Sequence, residues 1–66
     1  MYTEDAVKHG ATHYLPMKDG VTPQLFYKQN EVGKLEYISF RSIWMGSTSN
    51  NRPVRFEELF NQLIEI

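Results

Sequence analysis

The sequence predicts a small α+β protein, in which an antiparallel sheet of two or three strands carries a C-terminal helix on one face. Two observations lead to this fold class. Residues 24–44 contain two β-rich apolar runs joined by a short segment with a glycine, which is typical of a β-hairpin. Residues 53–65 carry one apolar stripe at helical spacing. A chain of 66 residues has room for one core, so residues 1–66 are expected to form a single small domain.

The predicted hairpin has its first strand at residues 24–28 and its second at residues 34–44. Between them, Asn30 and Gly33 tolerate the left-handed backbone that tight reversals require. Alternation along the second strand collects bulky apolar side chains on one face, which is the predicted core face: Ile38, Phe40 and Trp44. Leu35 and Ile43 fall on the other face, so a bulge or a strand break is expected near residues 41–43.

The C-terminal helix is predicted for residues 53–65, and Pro53 suits its first turn. Its stripe follows the i, i+3, i+4, i+7, i+8 pattern: Phe56, Leu59, Phe60, Leu63 and Ile64. The stripe needs an apolar surface, and the hairpin face with Ile38 and Trp44 is the largest that the sequence offers. The helix is therefore expected to pack on that face.

The N-terminal part of the chain predicts one short helix and one further strand. A helix is expected at residues 3–9, with Thr3 as its N-cap and Gly10 as its stop. Residues 11–17 have β character, and because Pro16 lacks an amide donor, a strand here should end at Pro16 or lie at an edge of the sheet.

The composition favours a folded protein without a nucleic-acid or membrane partner. The chain is 41% hydrophobic and 14% aromatic, which is too apolar for disorder. Its formal net charge is −1, without the basic excess of nucleic-acid binders. No apolar run approaches the ~20 residues of a membrane span, and the acidic N-terminus is unlike a signal peptide. The lack of cysteine excludes disulfides and fits a reducing cytoplasm.

The histidines and serines form no recognisable catalytic or metal motif. His9 and His13 have the i, i+4 spacing of a helical metal pair, but Gly10 between them argues against one continuous helix. No serine stands in a nucleophile-elbow motif. We therefore expect no metal, no cofactor and no enzymatic activity.

Aromatic residues and one arginine indicate a binding surface on the sheet. The candidate binding residues are Tyr14, Tyr27, Tyr37, Arg41 and Trp44. Tyr, Trp and Arg are common anchors of protein–protein interfaces, which favours a protein partner, although Trp44 is equally suited to the core. One alternative is weak binding of single-stranded nucleic acid by stacking on the same aromatic face. Another is self-association, as a homodimer, through the hairpin edge or through Leu25, Leu35 and Ile43.

The segment Gly10-Ala11-Thr12-His13-Tyr14, followed by Phe26-Tyr27-Lys28 and an aromatic strand with a tryptophan, resembles small proteins encoded by tailed bacteriophages and prophages. The resemblance covers the chain from about His9 onward, with two departures: Ser39-Phe40 stands where further Tyr or Trp is usual, and the C-terminal helix is well formed. Such proteins carry no activity or catalytic residues that transfer to this chain. The resemblance implies a phage or prophage origin and a place in the bacterial cytoplasm. The expected function is thus a non-catalytic module that binds a bacterial host or phage protein.

Overall fold

The structure, a computed structural model, describes residues 2–39 and 41–66. Across these residues it has two α-helices, one 3₁₀ helix and one five-stranded antiparallel sheet. In chain order the elements are α1 (Thr3–Lys8), β1 (His13–Pro16), β2 (Pro23–Gln29), β3 (Leu35–Ile38), β4 (Trp44–Gly46), the 3₁₀ helix (Thr48–Asn51), α2 (Pro53–Gln62) and β5 (Ile64–Glu65). The strands lie in the order β4-β3-β2-β1-β5. The α+β class with an antiparallel sheet and a C-terminal helix is confirmed, but the predicted two or three strands were too few.

The central hairpin, β2 and β3, forms where the sequence predicts it. Tyr27 pairs with Tyr37 across the two strands. In the turn, the side-chain oxygen of Asn30 accepts hydrogen bonds from the amides of Val32 and Lys34, both at 3.0 Å. Gly33 has φ of 83°, a left-handed conformation that glycine adopts without a Cβ clash. Gly33 therefore has the backbone role expected of it, whereas Asn30 closes the reversal through its side chain and not through a left-handed backbone.

The predicted second strand, residues 34–44, is wrong as one continuous element. It is divided into β3 and β4, which pair antiparallel with each other. The amide of Ser39 donates to the carbonyl of Ile43 at 2.9 Å, and the amide of Ser42 donates to the carbonyl of Ser39 at 2.9 Å. The interruption expected near residues 41–43 is present, but it is a full chain reversal, with Ser42 at φ 59°. Phe40, assigned to the core face by the alternation, lies outside the described residues.

Each face of the sheet carries one helix. On the first face, here called the α1 face, Ala6 of α1 is fully buried against a cluster of sheet and loop residues. The members of this cluster are Ala11, Phe26 and Ile38, with Tyr14 and Trp44 packed at its border. The small Ala6 side chain lets the α1 backbone approach the strands closely. On the opposite face, here called the α2 face, the side chains follow the register of the paired strands: His13, Tyr27, Leu35, Tyr37 and Met45.

The predicted docking of the C-terminal helix was on the wrong face. The ring of His13 lies 5.8 Å from the ring of Phe60, and His13 alternates with Tyr14 of the α1 face. Helix α2 thus lies across the face opposite Ile38, because α1 already covers the surface that the sequence assigned to it. Within α2, Phe56 and Phe60 stack at 6.2 Å between ring centroids. No residue of α2 is fully buried.

The C-terminal helix is also shorter than predicted. It begins at Pro53, as expected, but ends at Gln62 instead of residue 65. Ile64 enters β5, where it pairs with Tyr14, and the amide of Ile66 donates to the carbonyl of Thr12 at 2.9 Å. Pairing with the free edge of β1 satisfies backbone groups of this segment, which the helical spacing of Ile64 did not reveal.

At the N-terminus the short helix and its stop are confirmed. Helix α1 ends at Lys8, and Gly10 follows with φ of 100°. Thr3 was wrongly predicted as the N-cap: Tyr2 holds that position, and its carbonyl accepts from the amide of Ala6 at 3.1 Å. β1 ends at Pro16, as predicted. Neither helix in the part of the chain that the structure describes has the length and apolar character needed to cross a membrane.

Candidate functional site

The five predicted binding residues do not share one face. Tyr14 and Trp44 lie on the α1 face, and Tyr27 and Tyr37 lie on the α2 face. Arg41 lies in the reversal between β3 and β4 and is exposed. These residues were predicted from their type, whereas the strand register decides which face of the sheet each side chain occupies. The structure thus divides the five residues into Tyr14 and Trp44 beside the core cluster, the ring pair Tyr27 and Tyr37, and Arg41 in the reversal.

Trp44 is held by contacts within the protein. Its indole Nε1 donates a hydrogen bond to the backbone carbonyl of His9 at 3.0 Å. Nζ of Lys28 lies 4.4 Å from the centre of the indole ring, a cation–π distance, and 3.9 Å from a carboxylate oxygen of Glu36. Trp44 is half-buried beside the core cluster. These contacts match its alternative role as a core residue.

Tyr27 and Tyr37 form a ring pair on the α2 face, with centroids 6.3 Å apart. Tyr27 is only 6% exposed, while Tyr37 is half-buried. Burial, together with the neighbouring Tyr37, raises the pKa of the Tyr27 phenol above its ordinary value. The hydroxyl of Tyr37 lies 3.8 Å from the sulfur of Met45, its cross-strand partner. The thioether of Met45 therefore connects this ring pair to the edge strand β4.

An apolar patch at the edge of the α2 face lies beside this pair. Met45 is 48% exposed and Ile43 is 57% exposed. The bond from the Ser39 amide to the Ile43 carbonyl continues the β3–β4 ladder, so alternation places Ile43 on the same face as Met45. We call Tyr37, Ile43 and Met45 the hairpin patch. The sequence analysis missed Met45, although its position next to Trp44 implied the opposite face once β4 was recognised.

Strand β4 is an edge of the sheet, and within residues 2–39 and 41–66 no other backbone segment pairs with its outer side. Ile43 accepts from Ser39, and the amide of Ser47 donates to the carbonyl of Leu35 at 3.0 Å. In an antiparallel ladder, alternate residues direct their polar groups to the same neighbour. Residues 43, 45 and 47 therefore face β3. The N–H and C=O groups of Trp44 and Gly46 point away from the sheet, beside the hairpin patch.

A second feature of the α2 face is a polar cleft of about 910 Å³ between the 3₁₀ helix and α2. Tyr27 and Leu59 lie among its lining residues, and the others are all polar: Ser47, Thr48, Ser49, Asn51, Arg52, Arg55, Glu58 and Gln62. The 3₁₀ helix is fixed at its start, because the Ser47 hydroxyl oxygen accepts from the amide of Ser49 at 3.3 Å. The sequence analysis read residues 46–51 only as a loop with capping side chains, and so missed the cleft.

The two histidines are placed in different parts of the fold. His9 caps the C-terminal end of α1 and is exposed. His13 lies in β1 against Phe60, with its Nδ1 2.9 Å from the hydroxyl of Thr12. The described residues include no group of three or more metal-ligating side chains.

Together the fold and these surfaces define a small α+β protein with a five-stranded antiparallel sheet between two helices. No family model matches the chain, and no curated protein or solved structure shows significant similarity to it.

Proposed function

We propose that this protein is a non-catalytic interaction module that binds a protein partner at strand β4 and the adjacent hairpin patch. One observation carries the proposal. The outward backbone groups of Trp44 and Gly46 lie beside two exposed apolar side chains, Ile43 and Met45. Hydrogen-bonding capacity and apolar surface are thus combined at one edge.

An open sheet edge recruits an extended segment of another chain by strand addition. Backbone hydrogen bonds supply affinity, and the side chains on either face supply specificity. A segment paired with β4 would satisfy Trp44 and Gly46 and would cover Met45 with its own inward side chains. Tyr and Met are enriched at interface cores, which matches Tyr37 and Met45. Arg41, exposed at the end of the hairpin, would lie at the rim of such an interface.

We further propose a bacteriophage or prophage origin, with a host or phage protein in the bacterial cytoplasm as the partner. This part depends only on the short motif from Gly10 to Tyr14 and the aromatic strands.

Site-specific crosslinking tests the binding edge. A photoreactive phenylalanine analogue at Ile43 should capture a partner from bacterial lysate at near-stoichiometric level, and the same analogue at Val32, which is 76% exposed, serves as control. Adding Met45→Lys should abolish capture, because a charge would be buried in the interface. Gly46→Pro should also weaken capture, since it removes an outward N–H without touching the ladder to β3. Equal crosslinking from both positions, or indifference to both substitutions, would contradict the proposal.

The same protein variants also test the two alternative functions, self-association and binding of single-stranded nucleic acid. If the partner is a second copy, the crosslinked product has twice the 7.8 kDa mass of the chain, and sedimentation shows a dimer that Met45→Lys dissociates. Single-stranded nucleic acid requires several aromatic rings on one accessible face. Tyr14 and Trp44 border the core under α1, so a titration with oligonucleotide should produce no saturable shifts at Tyr37.

A further inference from the structure

We propose that the cleft between the 3₁₀ helix and α2 binds a phosphate group, held by the guanidinium groups of Arg52 and Arg55 and by the phenol of Tyr27. This site is separate from the hairpin patch and does not depend on the proposed protein-binding function. All three residues line the same cleft.

The two arginines are the electrostatic basis of the site. Arg52 is the N-cap residue of α2 and Arg55 follows one turn later, so both approach the cleft from the same end of the helix. Among the residues that the structure describes, neither has an ion-pair partner. A guanidinium group presents a planar fork of donors that matches phosphate oxygens, and paired arginines are a recurrent means of phosphate recognition.

Tyr27 provides a further donor at the cleft. The residue is only 6% exposed, and its hydroxyl makes no hydrogen bond to any residue in the described ranges. No buried side-chain oxygen or nitrogen in those ranges lacks a partner, so this hydroxyl is open to the cleft that Tyr27 lines and is available to a bound ligand. The raised pKa of Tyr27 keeps the hydroxyl protonated at neutral pH, so it is a donor to an anion.

The N-terminal end of α2 adds backbone N–H donors, which favour an anion as the two guanidinium groups do. Arg52 makes no side-chain capping bond, and Pro53 occupies the first turn without an N–H. The amides of Val54 and Arg55 therefore lack the intrahelical partners that later residues have. Such N–H groups, at the positive end of a ten-residue helix, favour an anion beside the two arginines.

Glu58 gives the proposal a distinctive signature. It lines the same cleft one turn beyond Arg55, and its carboxylate opposes a bound anion. Neutralising Glu58 should therefore tighten phosphate binding, whereas neutralising either arginine should weaken it. A merely structural role of these exposed side chains would not predict opposite signs.

The test is an NMR titration of the full chain with inorganic phosphate at pH 7.5, in a buffer free of other oxyanions. We expect saturable shifts at the amides of residues 48–52 and of Val54 and Arg55. Arg52→Gln and Arg55→Gln should each weaken binding by about tenfold, because a charge-assisted hydrogen bond is lost. Tyr27→Phe, which preserves the buried ring, should weaken it by roughly threefold, and Glu58→Gln should strengthen it by a similar factor. Lys18→Gln and Lys34→Gln remove the same charge elsewhere and should have no effect.

The source of the phosphate is resolved by a second ligand. A phosphoserine peptide that binds much more tightly than inorganic phosphate, and loses that gain in Arg55→Gln, identifies a phosphorylated protein segment. Equal affinities identify a small free phosphate compound. The proposal is overturned if phosphate produces no saturable shifts, or if Lys34→Gln weakens binding as much as Arg55→Gln. Met45→Lys must leave phosphate binding unchanged, which separates this result from that of the hairpin patch.

Discussion

The indole nitrogen of Trp44 donates a hydrogen bond to the backbone carbonyl of His9, at 3.0 Å, and so joins the end of α1 to the edge strand β4. The two residues are 35 positions apart in the chain. The bond satisfies one of the carbonyl groups that remain unpaired at the end of a helix. A six-residue helix is too short to persist by itself, so this long-range tie is one of the contacts that hold α1 on the sheet.

Trp44→Phe should therefore lower the free energy of unfolding by about 1–3 kcal/mol, because it removes the donor and part of the apolar area. Hydrogen exchange of the α1 amides should accelerate with it. Tyr37→Phe is the matched control, since its hydroxyl has only a 3.8 Å contact with the Met45 sulfur. A urea titration that gives equal losses for the two substitutions would show that the Trp44 bond contributes nothing.

The side-chain amide of Asn50 forms hydrogen bonds with both backbone polar groups of Leu35. Its oxygen accepts from the Leu35 amide at 2.9 Å, and its nitrogen donates to the Leu35 carbonyl at 2.8 Å. Leu35 is fully buried, so without Asn50 its amide has no water to replace the lost partner, while its carbonyl keeps the bond from the Ser47 amide at 3.0 Å. Asn50→Ala should cost about 1–3 kcal/mol in urea unfolding, whereas the exposed neighbour Asn51→Ala should cost almost nothing. Similar losses for the two would refute this role.

Ser42 occupies a backbone region that favours glycine, with φ of 59°. Ser42→Gly relieves a backbone strain of about 1–2 kcal/mol in the folded protein. It also stabilises the unfolded chain by roughly 0.5–1 kcal/mol, because glycine has more backbone entropy to lose on folding. We expect a net stabilisation of about 0.5 kcal/mol in thermal or urea unfolding. Gly33→Ala is the reverse experiment at φ 83°, where the added Cβ meets open space, and should destabilise by about 1 kcal/mol from the backbone alone. A marked loss with Ser42→Gly would indicate a role for the hydroxyl.

The turn between β1 and β2 contains an acid-sensitive carboxylate. The Thr22 hydroxyl donates to Asp19, as do the amides of Thr22 at 2.8 Å and Val21 at 2.9 Å, and these bonds lower the pKa of Asp19 below 3.8. Because the folded pKa is depressed, the stabilisation is complete above pH 3.8 and is lost as pH falls through the folded value. Thr22→Val should move the Asp19 pKa upward in an NMR titration. An unchanged midpoint would mean that the hydroxyl bond is absent in solution.

The local signals in the sequence predicted the local structure well. Gly33 and Gly10 act through their own backbone preferences, and Asn30 acts through side-chain hydrogen bonds to amides within four residues, so none of them depends on distant residues. The division of residues 34–44 into β3 and β4 was only half predicted, because Ser42 adopts a positive φ that its residue type seldom takes. A continuous β-rich composition gives no sign of where a strand turns back.

The long-range arrangement could not be read in the same way. The apolar stripe of α2 requires an apolar surface, but it does not specify which face of the sheet supplies it. In the structure, α1 covers the face with Ile38 through the small residue Ala6, and α2 lies on the opposite face. Ile64 fits a helical stripe and a strand equally well, and only the available edge of β1 selects the strand. The candidate binding residues were chosen by type, so Tyr27 and Tyr14 were grouped although the register separates them.

Helix α2 buries none of its residues completely, and its principal neighbour is the 3₁₀ helix that precedes it. Elements with few buried apolar contacts detach at a smaller free-energy cost than the whole protein unfolds. We therefore expect α2, which carries Arg55 and follows Arg52, to open at a smaller free-energy cost than the whole protein unfolds. A phosphate bound to these two arginines would raise that cost, so occupancy of the cleft should be visible as slower hydrogen exchange along α2 while the amides of β2 remain unaffected.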